Sequence, residues 1–350
     1  MGEAPTVKCL VWDLDDTLWD GVMLEGDEPK PFPSAVTTLR ALDRRGILHA
    51  VASRGEYEVA VAHLAAHGLA ELFTVIEVSW GAKSDAVGRI AEDLGIGLDT
   101  IAFVDNDPVE RAEVAAAAPQ VRCYPAEDVA AMPERVEFIP RFVTDESRRR
   151  RQYYRVQRER QVAETEYPGP PAEFLESLAL TMTVRRATEP DLSRVHELIL
   201  RTNQLNTTGR TFDLAELSAL CASPDHEVLV ATLRDRFGSY GTIGLAVTEI
   251  SGDDTVLLLL LVSCRVVSRR AGVALIDHIV TESLAANRRT VADFVPTERN
   301  RLMLVTLRFS GFHVLAETDG GITLAIDPER PPEKRRHPVR VVRESEESNA

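Results

Sequence analysis

Ten residues near the start of the chain, Trp12-Asp-Leu-Asp-Asp-Thr-Leu-Trp-Asp-Gly21, narrow the choice of fold more than any other stretch. The run before them, Cys9-Leu-Val-Trp12, is short, apolar and bounded by charge, which is the pattern of a buried strand. Asp13 and Asp15 follow at its end, with a hydroxyl at Thr17. Residues two apart at a strand end project to the same side, so both carboxylates are expected to converge. Two packed anions repel unless a cation or a shared proton intervenes. A hard divalent ion is the natural solution, and Mg2+ takes one or two carboxylates plus phosphate oxygens. Acidic strand ends also cap helices, so the choice depends on what lies downstream.

Downstream, strand-like runs end at His49–Ala52, Phe73–Val78, Ile101–Val104 and Val121–Tyr124. Helix-like segments lie between them at Ser34–Arg45, Glu56–His67, Lys83–Leu94 and Pro108–Ala117. This alternation predicts an α/β fold with a parallel sheet and helices on both faces. Ligands bind such sheets at the carboxyl ends of the strands. There the sequence places Asp13 and Asp15, then Ser53-Arg54-Gly55, then Lys83 opening a helix, then Asp105-Asn106-Asp107.

That ordered set resembles the haloacid dehalogenase superfamily of phosphohydrolases and phosphotransferases over about 130 residues. The resemblance implies a Rossmann-like parallel sheet and a role for each residue. Asp13 would attack phosphorus and form an aspartyl-phosphate. Asp15 would protonate the leaving oxygen and later activate water. Thr17 would support the site, and Ser53, Arg54 and Lys83 would hold phosphoryl oxygens. Asp105 would complete a Mg2+ site with Asp13 and the backbone carbonyl of Asp15. The family often has two adjacent acids at its last motif, where this chain has Asp105-Asn106. Asn106 is then either a lost ligand, with Asp107 compensating, or an outer-shell change. Only Leu24–Pro33, a polar and proline-broken loop, is left over between Asp15 and Ser53, so no large cap is expected.

The 350 residues suggest two domains. A net charge of −15 argues against a nucleic-acid binder. There are only four lysines, which singles out Lys83. Cys9, Cys123, Cys221 and Cys264 show neither CxxC spacing nor a disulfide framework, and reduced thiols of a cytoplasmic protein are expected. The longest apolar run, Val256–Val262, is too short for a bilayer, so no membrane role is expected.

Asp145-Glu-Ser-Arg-Arg-Arg-Arg-Gln opens a charged, helix-patterned segment that Tyr167-Pro-Gly-Pro-Pro171 stops. It reads as a solvated connecting helix. Beyond it a helix is expected at Asp191–Arg201 and strands at Val228–Leu233 and Thr242–Thr248. A long strand follows through the leucine run to Cys264, and then a helix at Leu275–Ala286. The string Arg269-Arg-Ala-Gly272-Val-Ala between that strand and helix resembles the pyrophosphate loop of the Gcn5-related acetyltransferase fold. A glycine-permitted turn there would present free helix N–H groups to phosphate. Expected domains are therefore a phosphatase-like domain over 1–140, a linker over 141–174, an acetyltransferase-like α/β domain over 175–330, and a disordered tail over 331–350.

Together Trp12–Gly21, Phe103–Arg111, Arg201-Thr-Asn-Gln-Leu-Asn206 and Ser263-Cys-Arg-Val266 resemble the FkbH-like proteins of polyketide pathways, across nearly the whole chain. The resemblance implies a glyceryl transferase/phosphatase. Such a protein removes phosphate from D-1,3-bisphosphoglycerate and loads the glyceryl unit on the phosphopantetheine arm of an acyl carrier protein. Cys264, at a strand end beside the phosphate loop, is the candidate thiol for an enzyme thioester; free cysteines are also common as small buried hydrophobes. Thr202, Asn203, Gln204 and Asn206 form a polar cluster suited to pantetheine amides or to capping a loop, and Arg269 and Gly272 are the phosphate-loop candidates. Two alternatives stand beside this reading. One is a plain phosphatase with a non-catalytic helper domain. The other is a coenzyme A acyltransferase with a regulatory first domain, against which the Asp13, Asp15, Ser53, Lys83, Asp105 set argues.

Overall fold

The computed structural model describes residues 5–23, 28–202, 205–332 and 337–344; the side chains of Arg201 and Cys264 lie outside the described set. The chain divides into two compact units, residues 1–158 and 159–350.

The first unit runs β1 (Cys9–Trp12), β2 (Trp19–Asp20), β3 (Lys30–Pro31), α1 (Pro33–Arg44), β4 (Leu48–Ser53), α2 (Tyr57–Ala66), β5 (Val75–Val78), α3 (Lys83–Leu94), β6 (Ile101–Asp105), α4 (Pro108–Ala117) and β7 (Arg122–Pro125). Five strands form a sheet in the order β5-β4-β1-β6-β7, and every pairing in it is parallel. Side chains alternate across it as strand geometry requires. Leu10, Trp12, Val51 and Val104 pack with Leu39 and Leu42 of α1 and Leu64 of α2. Cys9, Val11, Ala50 and Phe103 pack on the other face with Val87 and Ile90 of α3 and Val114 of α4. The α/β class and parallel sheet are those the sequence predicts. Trp12 pairs with both Val51 and Val104, so the polar residues just beyond these three strands share one edge.

Two further helices follow, α5 (Asp145–Arg148) and α6 (Arg150–Thr165), and the division between the units falls inside α6 rather than at the ends of a 141–174 linker. In the first unit Arg151 pairs with Asp43 and Arg150 donates to the Gly46 carbonyl. In the second, Arg160 is only 1% exposed and grips Asp235 through two bonds of 2.8 and 3.0 Å. Arg160 is the one buried residue of α6, so the helix is largely solvated, as expected, with anchoring arginines that the sequence did not single out.

The second unit continues with α7 (Pro171–Ser177), β8 (Thr181–Arg186), α8 (Leu192–Arg201), α9 (Leu214–Ala222), β9 (His226–Asp235), β10 (Gly238–Ser251), β11 (Asp254–Val262), α10 (Ala271–Ala285), β12 (Arg289–Phe294), α11 (Arg301–Phe309), β13 (His313–Thr318), β14 (Gly321–Ala325) and β15 (Arg340–Arg343). Its sheet has the order β13-β14-β12-β11-β10-β9-β8-β15. The expected disorder of the tail is corrected for its described part: Arg340–Arg343 pairs in parallel with Thr181–Val184, and Val341 packs on the core. Backbone pairing and two alternate valines are enough to order a short charged strand against an open sheet edge.

β11 pairs with β12 only over Asp254–Leu257 and Arg289–Ala292. Beyond that the strands part, and the segment Leu205–Thr207 enters between them. Thr207 N donates to Leu260 O at 3.0 Å, and Val262 N donates to Leu205 O at 2.9 Å. Leu260 N donates to Thr207 Oγ1 at 2.9 Å, and Val295 N to Thr207 O at 2.9 Å. The edge that parting strands would leave unpaired is satisfied by the chain itself.

Candidate active site

Five of the sequence-predicted residues meet at the carboxyl edge of the parallel sheet. Asp13 continues β1, held there by its N–H donating to Val104 O at 3.0 Å. Ser53 ends β4, Asp105 ends β6, and Lys83 is the first residue of α3. All four side chains are buried. Lys83 Nζ donates to Asp13 Oδ1 at 2.7 Å and to Asp105 Oδ2 at 2.6 Å. Ser53 Oγ donates to the same Asp13 oxygen at 3.0 Å. Both donors land on Oδ1, so among the described residues Oδ2 of Asp13 keeps its lone pairs.

A buried ammonium at a helix N-terminus meets burial and the helix dipole as opposing forces. Burial lowers the affinity of Lys83 for its proton, but the charges of Asp13 and Asp105 outweigh it and hold the ammonium above its ordinary range. Burial first, and then the Asp13 charge, push the Asp105 carboxyl up to about 6. Two carboxylates share one ammonium, so the cluster is short of positive charge.

Thr17 is the fifth residue. Its hydroxyl donates to Asn106 Oδ1 at 3.3 Å and accepts from Asn106 N at 2.9 Å, clasping the loops after β1 and β6. Asn106 is thereby occupied with Thr17. Asp107 caps α4 by accepting from Val109 N at 2.8 Å, followed by a proline at the first helical position. Arg111, which the sequence reading passed over, donates to the carbonyls of Asp105 and Asn106 at 2.6 and 2.8 Å and fixes the loop from behind.

Asp15 lies on the turn that follows β1, where the charge of Asp13 acts on it. Its Oδ1 accepts from Trp19 Nε1 at 2.8 Å and from Met23 N at 3.4 Å. The turn after the strand sets its position: Asp16 adopts a left-handed φ of 50°, and Thr17, Leu18 and Trp19 all donate to Leu14 O. Burial raises the affinity of Asp15 for a proton. Asp15 lines a small cleft with Ser53, Arg54 and Val59. Arg54 is exposed at that rim, with its guanidinium 2.8 Å from Glu110.

Among the described residues no group of three His, Cys, Asp or Glu is arranged to hold a metal. Two buried carboxylates with a shortage of positive charge do not suit Zn2+, which needs three or four protein ligands. They do suit Mg2+, which completes its shell with water and phosphate.

In the second unit the expected phosphate loop is the turn that leads into α10. Arg269 is buried and donates to Glu164 Oε2 at 2.8 Å, with its guanidinium beside Tyr240 and Phe174. Through Glu164 it braces α6. The left-handed residue of the turn is Arg270, with φ 58°, whereas Gly272 lies inside α10 with room for a side chain. Asn206 is likewise internal. Its amide donates to Thr202 O at 3.1 Å, and its oxygen accepts from Thr208 N and Gly209 N at 3.2 and 2.8 Å, closing a loop. Cys264 begins a short 3-10 turn immediately after β11. Its side chain, with Asn203 and Gln204, lies outside the described residues. No described helix is long and apolar enough to cross a membrane.

No known protein family matches the chain, and no curated protein does. Solved structures do. The chain is similar to the N-terminal part of a Bacteroides fragilis protein that contains a phosphatase domain, crystallised with Mg, at 25% identity and a TM-score of 0.33, over 39% of this chain and 40% of that one. It is similar to the ribosomal-protein-S18-alanine N-acetyltransferase of Escherichia coli at 14% identity and a TM-score of 0.34, over 44% of this chain and 99% of that one. It is also similar to Ard1 of Thermoplasma volcanium at 17% identity and a TM-score of 0.32, over 41% and 94%.

Proposed function

We propose that the first unit is a Mg2+-dependent phosphohydrolase working through a phosphorylated Asp13. The observation that carries this reading is the buried triad Asp13–Lys83–Asp105, in which two acids share one cation at the carboxyl edge of a parallel sheet. Asp13 and Asp105 would hold Mg2+, with the Asp15 carbonyl as the further oxygen the family resemblance implies. Bound there, the ion supplies charge to neutralise phosphoryl oxygens. Asp13 attacks phosphorus through a carboxylate oxygen, the bond to the leaving oxygen breaks, and Asp15 gives that oxygen its proton. Ser53 and Lys83, already aimed at Asp13, donate to the phosphoryl oxygens as charge builds on them. Asp15 then takes a proton from water as the water attacks phosphorus, freeing phosphate and restoring Asp13.

The finer reading follows the sequence resemblance: the substrate is D-1,3-bisphosphoglycerate and the glyceryl unit passes to the pantetheine thiol of an acyl carrier protein. An edge with no large cap supports a tethered or bulky substrate. One observation favours the plainer alternative of a phosphatase with a helper unit. In the second unit Arg269 and Asn206 are bonded internally, and Leu205–Thr207 fills the place where β11 and β12 part. Incubating the full chain with bisphosphoglycerate, Mg2+ and a pantetheinylated carrier separates the two. Phosphate release with a carrier heavier by one glyceryl unit is expected. Release without the mass gain leaves the phosphatase alone, and no release overturns both.

A further inference from the structure

Asp15 is a half-buried carboxylate on a turn, and one oxygen of it is tethered. The tether is Trp19, four residues on and 1% exposed. Three contacts immobilise Trp19. Its backbone N–H donates to Leu14 O at 3.2 Å, its strand β2 pairs with β3 through Pro31, and its ring meets the edge of His63 at 4.8 Å and 81°. His63 is itself fixed, its Nε2 lying 2.8 Å from Pro29 O and its ring against His67.

An indole N–H donates and never accepts, and it does not exchange its proton in this pH range. A donor of that kind on Oδ1 marks that oxygen as the acceptor, so the mobile proton of the carboxyl sits on Oδ2. It also fixes a side chain whose rotation would otherwise cost entropy at each turnover. From this geometry we infer that Trp19 is a positioning residue: it holds Asp15 by Oδ1 so that Oδ2 alone carries the proton delivered to the leaving oxygen. The inference rests on the reading of Asp15 as acid and base.

The test compares kcat/KM for two substrates on the full chain with Mg2+, because that parameter reports the steps up to departure of the leaving oxygen and not the later step in which Asp15 acts as base. A nitrophenyl phosphate has a leaving group that departs without a proton, and an alkyl phosphate has one that needs it. Trp19→Phe is expected to slow the alkyl phosphate on the order of 10- to 100-fold, a share of the roughly 10²- to 10⁴-fold that acid catalysis supplies. The nitrophenyl phosphate should be nearly unaffected. Asp15→Asn should show the same split, enlarged. Equal loss on both substrates in Trp19→Phe, with the split intact in Asp15→Asn, overturns the positioning role and leaves Trp19 as packing. Absence of the split in Asp15→Asn overturns the acid assignment itself. Should Trp19→Phe fail to fold, a benzothienyl-alanine at residue 19 keeps the bicyclic shape and removes only the donor; the same split supports the role, and its absence overturns it.

Discussion

Lys83 and Arg160 are both buried cations, one in each unit, and they are buried for opposite purposes. Arg160 faces a single carboxylate, Asp235, through a two-bond fork, gives a further hydrogen to Gly238 O, and stacks on Tyr240 at 3.6 Å. Tyr240 closes the set by donating to Asp235 at 2.8 Å. Charge is balanced there, and the geometry suits a planar guanidinium. Lys83 faces two carboxylates and leaves them short of one charge. A fold gains nothing by burying an excess charge, and this imbalance is what the proposed Mg2+ would offset. A balanced cluster marks scaffolding.

The largest effect that tests this contrast is expected from Asp13→Asn. An amide cannot accept a phosphoryl group, and loss of a nucleophile typically costs on the order of 10⁴- to 10⁶-fold in turnover. A direct phosphate assay should read that loss while the melting temperature holds or rises, since the variant removes the excess charge. Ordinary phosphate release would end the assignment of Asp13.

Next comes Arg160→Ala, which strands Asp235 in the interior. Breaking a buried pair from one side costs about 3–5 kcal/mol, so calorimetry should show the second unit melting well below its normal temperature. Phosphate release at low temperature should be unchanged. If Arg160→Ala abolished phosphate release in folded protein, the separation of roles would fail.

The third effect lies beneath the catalytic strand. Trp12 Nε1 donates to His49 Nδ1 at 3.0 Å, so the ring's hydrogen sits on Nε2, 2.9 Å from Leu39 O. A second proton would face the indole N–H, and burial holds His49 down at about 4. The unfolded chain takes up that proton near the ordinary value, so folding stability is complete above it and is lost as pH falls from roughly 6.5 toward 4, by about 3 kcal/mol in all. All three tryptophans lie in the first unit, so tryptophan fluorescence in urea reads this unit. His49→Gln should flatten the slope, and an unchanged slope would assign it to other groups.

The two units also differed in how far they could be read ahead of the structure. In the first, each functional residue follows an apolar strand by one position or opens a helix, so local pattern and chemistry coincide; helices α3 and α4 run over the predicted Lys83–Leu94 and Pro108–Ala117. The tether of Asp15 to Trp19 was hidden because the left-handed turn at Asp16 has no glycine to signal it. In the second unit the pairing of Arg269 with Glu164 carried no local signal, because Glu164 lies far back in the chain. Asn206 was readable either as a pantetheine contact or as a loop cap because both uses engage the same atoms, and its bonds close a loop. Helix α9 was missed although Asp213 and Glu216 form a capping box that announces it. Strand β15 had no local signal, since a four-residue run becomes a strand only beside β8.

The segment that fills the parting of β11 and β12 bears on how the second unit assembles during synthesis. Thr207 leaves the ribosome 53 residues before Leu260, and Asn206 emerges 94 residues before Asn300, whose amide donates to its carbonyl. Until those later residues exist, the backbone groups of Leu205–Thr207 lack the partners they have in the folded sheet. Closing loops of that length carries an entropic cost that rises slowly with length, and it comes before any contact repays it. The centre of this sheet therefore joins a strand from the middle of the unit, its neighbour beyond α10 and an early loop through contacts of long sequence separation, the kind whose loop-closure cost falls before the contacts that offset it.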